Sequence, residues 1–248
     1  MSSYFQNNYI LNSIQNIKGI GPKISKIFED KIGPRIIDLL FHIPYKSIDR
    51  YKNHTISNAQ KGELLTVEVE VVETSIKKSY FKKRIPSKII TFGINEDKNK
   101  RLDIVYFNLF SNNLHEAFKV GDRFLVSGKL EIYNGIYQIT HPDYVVTSDK
   151  KYLIPKLDPT YKLFKGITKR KLVNFIQISL RSLPKTPEWI SNKTLKDLKL
   201  ASFEETLKRI HNPRDDNDND PDSFLLRRLA FDELLANYIK LKILKDKI

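Results

Sequence analysis

The period of the hydrophobic pattern changes twice along the chain. Residues 9–50 and 158–248 carry apolar residues at helical spacing, whereas residues 63–147 alternate with the two-residue period of a strand. In "LLTVEVEVVET" the apolar side chains fall on one face of the predicted strand: Leu65, Val67, Val69 and Val71. The pattern therefore predicts a β-domain between two helical segments.

Five strands are predicted in the alternating region: "LLTVEVEVVET", "SKIITFGI", "DIVYFNLF", "RFLVSGKLEI" and "GIYQITHPDYVV". The fourth places four apolar residues on one side: Phe124, Val126, Leu130 and Ile132. Asn134-Gly135 is a hairpin signal before the fifth, and "NNLHEAFKVGD" predicts a short helix after the third. Five strands with a helix at this point follow the order of an OB-fold. The predicted class is α+β, with a five-stranded OB-fold barrel flanked by N-terminal and C-terminal helical segments.

We divide the chain into residues 1–60, a helical segment with a "GIGPK" hairpin, residues 61–150, the barrel, and residues 151–248, a second helical segment. In the last segment Thr168 is positioned to cap a helix whose buried face is Leu172, Phe175, Ile176 and Ser179. Ser202 and Glu205 fit a capping box. An acidic loop, "NPRDDNDNDPDS", precedes a terminal helix predicted to be amphipathic.

The strand "DIVYFNLF" is apolar on both faces, and Tyr106 and Phe107 must point in opposite directions. One face closes the barrel. The other either offers an aromatic ring to nucleic-acid bases or is covered by a helical segment. Periodicity alone leaves both open.

The chain has 248 residues, a formal charge of +14 and a pI near 9.6. This positive charge favours a polyanionic partner, with nucleic acid as the first candidate and an anionic membrane as the second. The third interpretation is a lysine-rich surface with no such partner. The absence of cysteine excludes disulfides, thiolate catalysis and cysteine-based zinc sites. No signal peptide or apolar run near the ~20 residues of a membrane span is visible, so we expect no membrane contact and a cytoplasmic location.

The sequence offers little catalytic chemistry. The Gly128-Lys129 pair lies within a predicted strand and is followed by Leu, so it is not a P-loop. The five histidines have neither metal-ligand spacing nor a triad partner, and we interpret them as structural: His42, His54, His115, His141 and His211. His141 precedes Pro142, which predicts an extended conformation. We therefore expect no metal, cofactor or hydrolysis in this chain alone.

Two basic segments are candidates for DNA binding. The segment "KKSYFKKRIPSK" joins the first two barrel strands and contains Lys77, Lys78, Lys82, Lys83, Arg84 and Lys88. Its charge, its two aromatics and its position in the barrel favour DNA binding over a solvated loop. Lys18, which precedes "GIGPK", and Gly19 and Gly21 within it are weaker phosphate candidates, because a tight helix–helix turn without a ligand explains so short a glycine-rich segment better.

Several segments, in this order, resemble the RecG family of bacterial branched-DNA helicases. They are "IKGIGPKISKIFEDKIG…IIDLLFHIPYKSIDR", "VYFNLF", "GKLEIYNGIYQITHPDY" and "LRRLAFDELLANYIKLKILK". The resemblance covers nearly the whole chain and corresponds to the wedge with its OB-fold and the helical lead-in to the motor. It implies that the motor domains, with their ATP and Mg²⁺ sites, begin beyond Ile248.

The resemblance further implies that Tyr106 and Phe107 stack on the last base pairs of a fork or Holliday junction, while the basic segment contacts phosphates. Ser47 departs from the family, which usually has Tyr there. The expected partner is branched or single-stranded DNA, bound by a monomer. A general single-strand binder, a protein-interaction module and an enzyme with its own active site are the alternatives, in that order.

Overall fold

The computed structural model describes residues 9–75, 87–94, 97–107 and 117–246. Its α-helices are α1 (Pro22–Lys31), α2 (Ile36–Leu40), α3 (Lys169–Arg181), α4 (Asn192–Asp197), α5 (Phe203–His211) and α6 (Phe224–Lys245). Its strands are β1 (Lys46–Asp49), β2 (Leu64–Ser75), β3 (Ser87–Gly93), β4 (Arg101–Tyr106), β5 (Arg123–Tyr133), β6 (Ile136–Thr140), β7 (Tyr144–Thr147) and β8 (Leu157–Thr160). Short 3-10 helices cover Tyr9–Leu11, Ile14–Asn16, Ser148–Leu153 and Asp216–Asn219.

The chain forms two compact units. One contains residues 49–156, and the other combines the residues up to 48 with those from 157 onward. The helices from both sides of the barrel sequence share one core, to which Ile14, Phe28, Leu40, Leu172 and Ile176 contribute. The second unit is thus built from two separate stretches of sequence.

The unit 49–156 is a closed five-stranded mixed barrel. Its strands follow the order β2-β3-β4-β6-β5, and β5 pairs again with β2. β4 runs antiparallel to β3 and parallel to β6. β7 pairs antiparallel with Phe124–Ser127 of β5. The predicted α+β class, with an OB-fold barrel between helical segments, is confirmed.

The predicted inward face of the first barrel strand is also confirmed, because Leu65, Val67, Val69 and Val71 are all buried in the barrel core. In β5, Phe124, Val126 and Leu130 are buried as predicted, but Ile132 is 40% exposed. The reason is that β2 accompanies β5 only as far as Lys129, so that Ile132 lies on the protruding end of the β5–β6 hairpin.

The β5–β6 turn and two helix N-caps have the predicted chemistry, although only the Ser202 half of the predicted capping box forms. Asn134 and Gly135 both have positive φ angles, 50° and 76°, as a type I′ hairpin turn requires. The Thr168 side chain accepts a hydrogen bond from the N–H of Lys171, and the Ser202 side chain accepts one from Glu205. These local signals therefore set the boundaries of the elements they flank.

Other local predictions need correction. "GIYQITHPDYVV" is two strands, β6 and β7, interrupted at His141 and Pro142. The acidic loop contains a 3-10 helix, in which the Asp218 carboxylate is buried against Arg209. Strands β1 and β8 form a two-stranded sheet that the pattern did not predict. The predicted helix at 112–122 falls largely outside the described residues.

The terminal helix α6 is buried only in its first half. Leu225 and Arg228 are buried, whereas Leu234, Tyr238 and Leu241 are at least 65% exposed. An amphipathic pattern with one buried stripe therefore describes only the beginning of this helix. Among the described residues, no helix has the length and apolar character needed to cross a membrane.

Candidate nucleic-acid interface

The carboxyl end of β4 brings three rings together. Tyr106 is the last residue of β4 and pairs with Ser87, the first residue of β3. On its other side, β4 pairs with β6 up to Val105 and Thr140, so that His141 follows directly beside Tyr106 and Phe107. The barrel topology thus assembles an aromatic cluster of Tyr106, Phe107 and His141.

His141 is held by two backbone hydrogen bonds in this cluster. Its N–H donates to the carbonyl of Val105 at 2.9 Å, and its Nε2 accepts from the N–H of Phe107 at 3.2 Å. Its φ angle is +48°, in the left-handed region, so the predicted extended conformation is wrong. Histidine tolerates this region better than most residues, and the two hydrogen bonds offset the steric cost of placing it before Pro142.

The His141 ring contacts each of the other two rings. Its centroid is 5.7 Å from that of Tyr106, edge-on, and 6.1 Å from that of Phe107. His141 is exposed, whereas Tyr106 and Phe107 are each partly buried. The cluster therefore presents aromatic surface to solvent while its backbone is fixed by the barrel. Sequence reasoning missed His141 as a member, because its neighbours in the cluster are 34 residues away along the chain.

Tyr106 belongs to the inner face of β4. It packs against the barrel core, with its ring centroid 6.5 Å from that of Phe118. Burial raises the pKa of its hydroxyl to about 12, so the phenol stays protonated at neutral pH. Phe107 follows just after the end of β4, outside the barrel core, with its ring 6.1 Å from that of the exposed His141, which is the better placement for a ring that contacts a ligand.

The outer face of β4 is otherwise occupied. Val105 and Asp103 are both buried, and the Asp103 carboxylate pairs with Arg101 at 2.8 Å and with Lys88 at 3.6 Å. Lys88, one of the predicted DNA contacts, is therefore partly neutralised by an internal acid. The other predicted contacts of this segment lie outside the described residues: Lys77, Lys78, Lys82, Lys83 and Arg84.

The segment that carries these residues is nevertheless anchored next to the cluster. β2 ends at Ser75 and β3 begins at Ser87, and Ser87 is the ladder partner of Tyr106. Residues 76–86 between these two positions lie outside the described residues, but the residue that follows them, Ser87, is fixed beside Tyr106.

The third predicted group, Lys18, Gly19 and Gly21, lies in the helical unit. Gly19 has a φ of +94°, a conformation that favours glycine, and a Cβ there would meet the Phe175 ring at 3.4 Å. Gly21 caps α1 without a side-chain hydrogen bond, and a Cβ on it would meet nothing within 4 Å. Lys18 is exposed. The backbone at Gly21 is therefore open to an approaching phosphate.

An ion pair between the buried Arg50 and the half-exposed Asp143 supports the loop that carries His141. The Arg50 guanidinium donates to the Asp143 carboxylate at 2.6 Å and stacks over the Tyr144 ring at 5.1 Å. Arg50 also reaches Ser127 in β5 at 3.4 Å. Arg50 is the last residue of "DLLFHIP…DR", and Asp143 and Tyr144 belong to "HPDY". These two sequence segments therefore contact each other here, and the contact holds the residues that follow His141 in place.

Among the described residues, no group of three or more His, Asp or Glu side chains is arranged to hold a metal ion. The chemistry that the described residues provide at this end of the barrel is aromatic surface and backbone hydrogen bonding. An aromatic surface of this kind suits stacking on bases.

Comparison with known proteins gives a consistent result. The chain is 24% identical over 240 residues to the ATP-dependent DNA helicase RecG of Acidithiobacillus ferridurans, covering 96% of the chain and 33% of that protein. It is 26% identical over 231 residues to RecG of Bacillus subtilis, covering 93% of the chain and 32% of that protein. The chain thus spans about a third of the length of the curated relatives it matches.

A solved structure has the same fold. A RecG bound to a three-way DNA junction superimposes with a TM-score of 0.75 at 22% identity, covering 91% of this chain and 30% of that one. Residues 13–183 match the family described as the RecG wedge domain. This match includes the barrel, the aromatic cluster and the helices up to the end of α3, and the chain therefore belongs to the RecG wedge domain family.

Proposed function

We propose that this chain binds branched DNA at the branch point and separates its arms, as the wedge part of a RecG-like helicase of DNA repair and recombination. The observation that carries the proposal is the aromatic cluster at the end of β4, next to the anchored end of the basic segment. In this proposal the chain acts as a monomer in the bacterial cytoplasm. ATP hydrolysis belongs to motor domains outside this sequence.

The division of labour follows from the positions of the rings. Phe107, just after β4, stacks on the terminal base pair at the branch point, and Tyr106 anchors the end of that strand in the barrel core. Stacking on an aromatic side chain contributes ~1–3 kcal/mol per base. A base at a branch point already has one open face, so the ring replaces solvent there. In a continuous duplex both faces are occupied, and the ring finds no partner.

Replacing Phe107 with alanine tests this role. We expect affinity for a three-way junction to fall by about 5- to 100-fold, with a smaller loss for linear duplex, because only the junction has a branch point with an open base pair away from its ends. Fluorescence anisotropy with both DNAs measures the two losses. Tyr152→Ala removes a ring that is 75% exposed elsewhere on the barrel unit and should change neither affinity. Equal losses on junction and duplex for Phe107→Ala would rule out the wedge role.

A contact between the basic segment and DNA phosphates can be recognised from the salt dependence of junction affinity. Replacing Lys82 and Lys83 together with alanine should lower junction affinity and make its salt dependence shallower by about 2 in log–log slope, since each phosphate contact contributes ~0.9. Affinity measured across a salt series gives the slope. Lys150 and Lys151, an exposed pair on the same unit, provide the matched double variant, which should keep the original slope. An unchanged slope for the Lys82 and Lys83 variant excludes this segment from the contact.

The single-strand alternative makes the opposite prediction for the unaltered chain. A general single-strand binder prefers a single strand to a junction of equal nucleotide number. The wedge prefers the junction. A competition gel shift with both DNAs at one salt concentration distinguishes the two, and a preference for the single strand would replace the branch-point proposal.

A further inference from the structure

The helical unit carries a second basic surface whose residues come from three separate segments. Between Asp158 and Glu188 the chain contains seven basic residues and no acid. The exposed ones closest to the "GIGPK" hairpin are Lys165, Arg170 and Lys171, while the hairpin and α1 contribute Lys18 and Lys23. We name these five residues the helical basic surface.

Contacts beneath the surface show that its segments are neighbours. A Cβ on Gly166 would lie 2.8 Å from Cδ1 of Ile27, so the segment carrying Lys165 covers α1 one turn after Lys23. A Cβ on Gly19 would lie 3.4 Å from the Phe175 ring, and Lys171 is one turn before Phe175 on the same face of α3. The segments that carry Lys18 and Lys171 are therefore neighbours, as are the segments that carry Lys23 and Lys165.

The positive charges of this surface are not paired with acidic side chains of the described residues. Within the described residues, none of the five side chains forms an ion pair, whereas nearby Lys169 is committed to Asp158 at 2.8 Å. The acids of α1 lie further along that helix, at Glu29, which accepts from Ser25, and at Asp30. Five uncompensated cations in one area repel one another unless a polyanion binds them.

The aromatic residues of the same region point inward. Phe28 and Phe175 are buried and pack against each other with centroids 6.0 Å apart, and Phe164 packs edge-on against Phe28 at 5.7 Å. The surface thus offers charge and an open backbone at Gly21, without a stacking platform. Single-strand binders need such a platform, whereas a duplex backbone requires only phosphate contacts.

We infer that the helical basic surface is a second DNA site, which binds the phosphate backbone of a duplex arm irrespective of its sequence. The inference rests on the proposed function, because it extends the contact from the branch point to an arm. Its residues go beyond Lys18, Gly19 and Gly21, since Lys23, Lys165, Arg170 and Lys171 provide most of the charge.

The test is a triple variant of the 248-residue chain, Lys23→Gln, Lys165→Gln and Lys171→Gln. Linear duplex affinity should fall by about 10- to 100-fold at moderate salt, and the log–log salt slope should become shallower by about 2–3. Junction affinity should fall by the same factor, so that the preference for junction over duplex is kept. A single strand of equal length should lose less than the duplex.

The control is the triple variant Lys185→Gln, Lys193→Gln and Lys196→Gln, which removes the same charge from exposed positions of the same unit and should leave DNA affinity unchanged. Both variants should keep the wild-type melting temperature. Equal losses in both variants, or an unchanged salt slope in the first, overturn the second site. So does a loss of binding to phosphatidylglycerol vesicles with DNA affinity intact, which would indicate a membrane surface.

The outcome is separable from that of the proposed function. If the unaltered chain shows no junction preference but the first triple variant still loses duplex affinity, the wedge role fails and the second site stands. If Phe107→Ala alters junction preference and the triple variant changes nothing, the wedge role stands and the second site fails.

Discussion

Replacing Arg228 with methionine lowers the free energy of unfolding of the helical unit by about 3–5 kcal/mol. Arg228 is fully buried, and its guanidinium donates to both oxygens of Glu188 at 2.9 Å, to Asp232 at 2.9 Å and to the Ala201 carbonyl at 2.9 Å. It also lies over the Trp189 ring at 5.2 Å. Methionine fills much of the volume of the arginine side chain but leaves two largely buried carboxylates without their cation. Removing one partner of a buried ion pair destabilises the folded state because the remaining charge is uncompensated.

The measurement is chemical denaturation followed by fluorescence. Trp189 is the single tryptophan of the chain and contacts Arg228, so its emission reports on the unit in which the substitution lies. A local probe matters, because two compact units need not unfold in one transition. Arg227→Met, one residue away and exposed, is the matched control and should change stability by less than about 0.5 kcal/mol. A similarly small effect for Arg228→Met would show that the buried cluster is dispensable.

The Arg228 cluster also illustrates where sequence reasoning stops. "LRRLAFDE" predicts a helix, and α6 is there, but periodicity places both arginines at polar positions without indicating which one is buried. Arg228 is the buried one because it pairs with Glu188, 40 residues earlier, and the residues around Arg228 or Glu188 do not indicate that pairing. Arg50 and Asp143, 93 residues apart, are a second example.

Features set by neighbouring residues were predictable. Alternation identified the buried Val67 and Val69, the Asn134-Gly135 pair identified the hairpin turn, and Thr168 identified the start of α3. Each depends on backbone geometry within a few residues. The predicted burial of Ile132 is wrong because it depends on a distant segment. The alternation of β5 continues to Ile132, but the neighbouring strand β2 ends before it.

The candidate site was predictable only in part. Tyr106 and Phe107 follow from alternation in "DIVYFNLF" together with the family resemblance. The contribution of His141 does not, because a residue before proline is normally extended, and its left-handed conformation depends on β4 lying alongside. The second basic surface likewise depends on α1 and α3 packing together, which no single segment reveals.

His211 provides a prediction for pH. It is fully buried, accepts at Nδ1 from the Tyr161 hydroxyl at 2.9 Å and donates from Nε2 to the Leu40 carbonyl at 2.8 Å. Burial lowers its pKa to about 4, with a smaller contribution from His42, although the bond to Leu40 acts in the opposite direction. The ring is therefore neutral in the folded protein, whereas in the unfolded chain it takes up a proton near pH 6.5.

As the pH falls below about 6.5, the unfolded state binds this proton before the folded state does, so the folded state loses stability. The loss grows until about pH 4, where it reaches about 3 kcal/mol, and above pH 6.5 the full contribution is present. His211→Gln retains a donor for the Leu40 carbonyl but does not titrate. We therefore expect the stability difference between wild type and variant to change by about 3 kcal/mol between pH 7 and pH 4, in favour of the variant at low pH.

Denaturation at a series of pH values, followed by Trp189 emission, measures this difference directly. Carboxylates titrate below pH 5 in both proteins, so subtracting the two curves removes their common contribution. Parallel curves for wild type and His211→Gln would mean that the buried imidazole accepts a proton in the folded state as readily as in the unfolded chain, which its two hydrogen bonds and complete burial argue against.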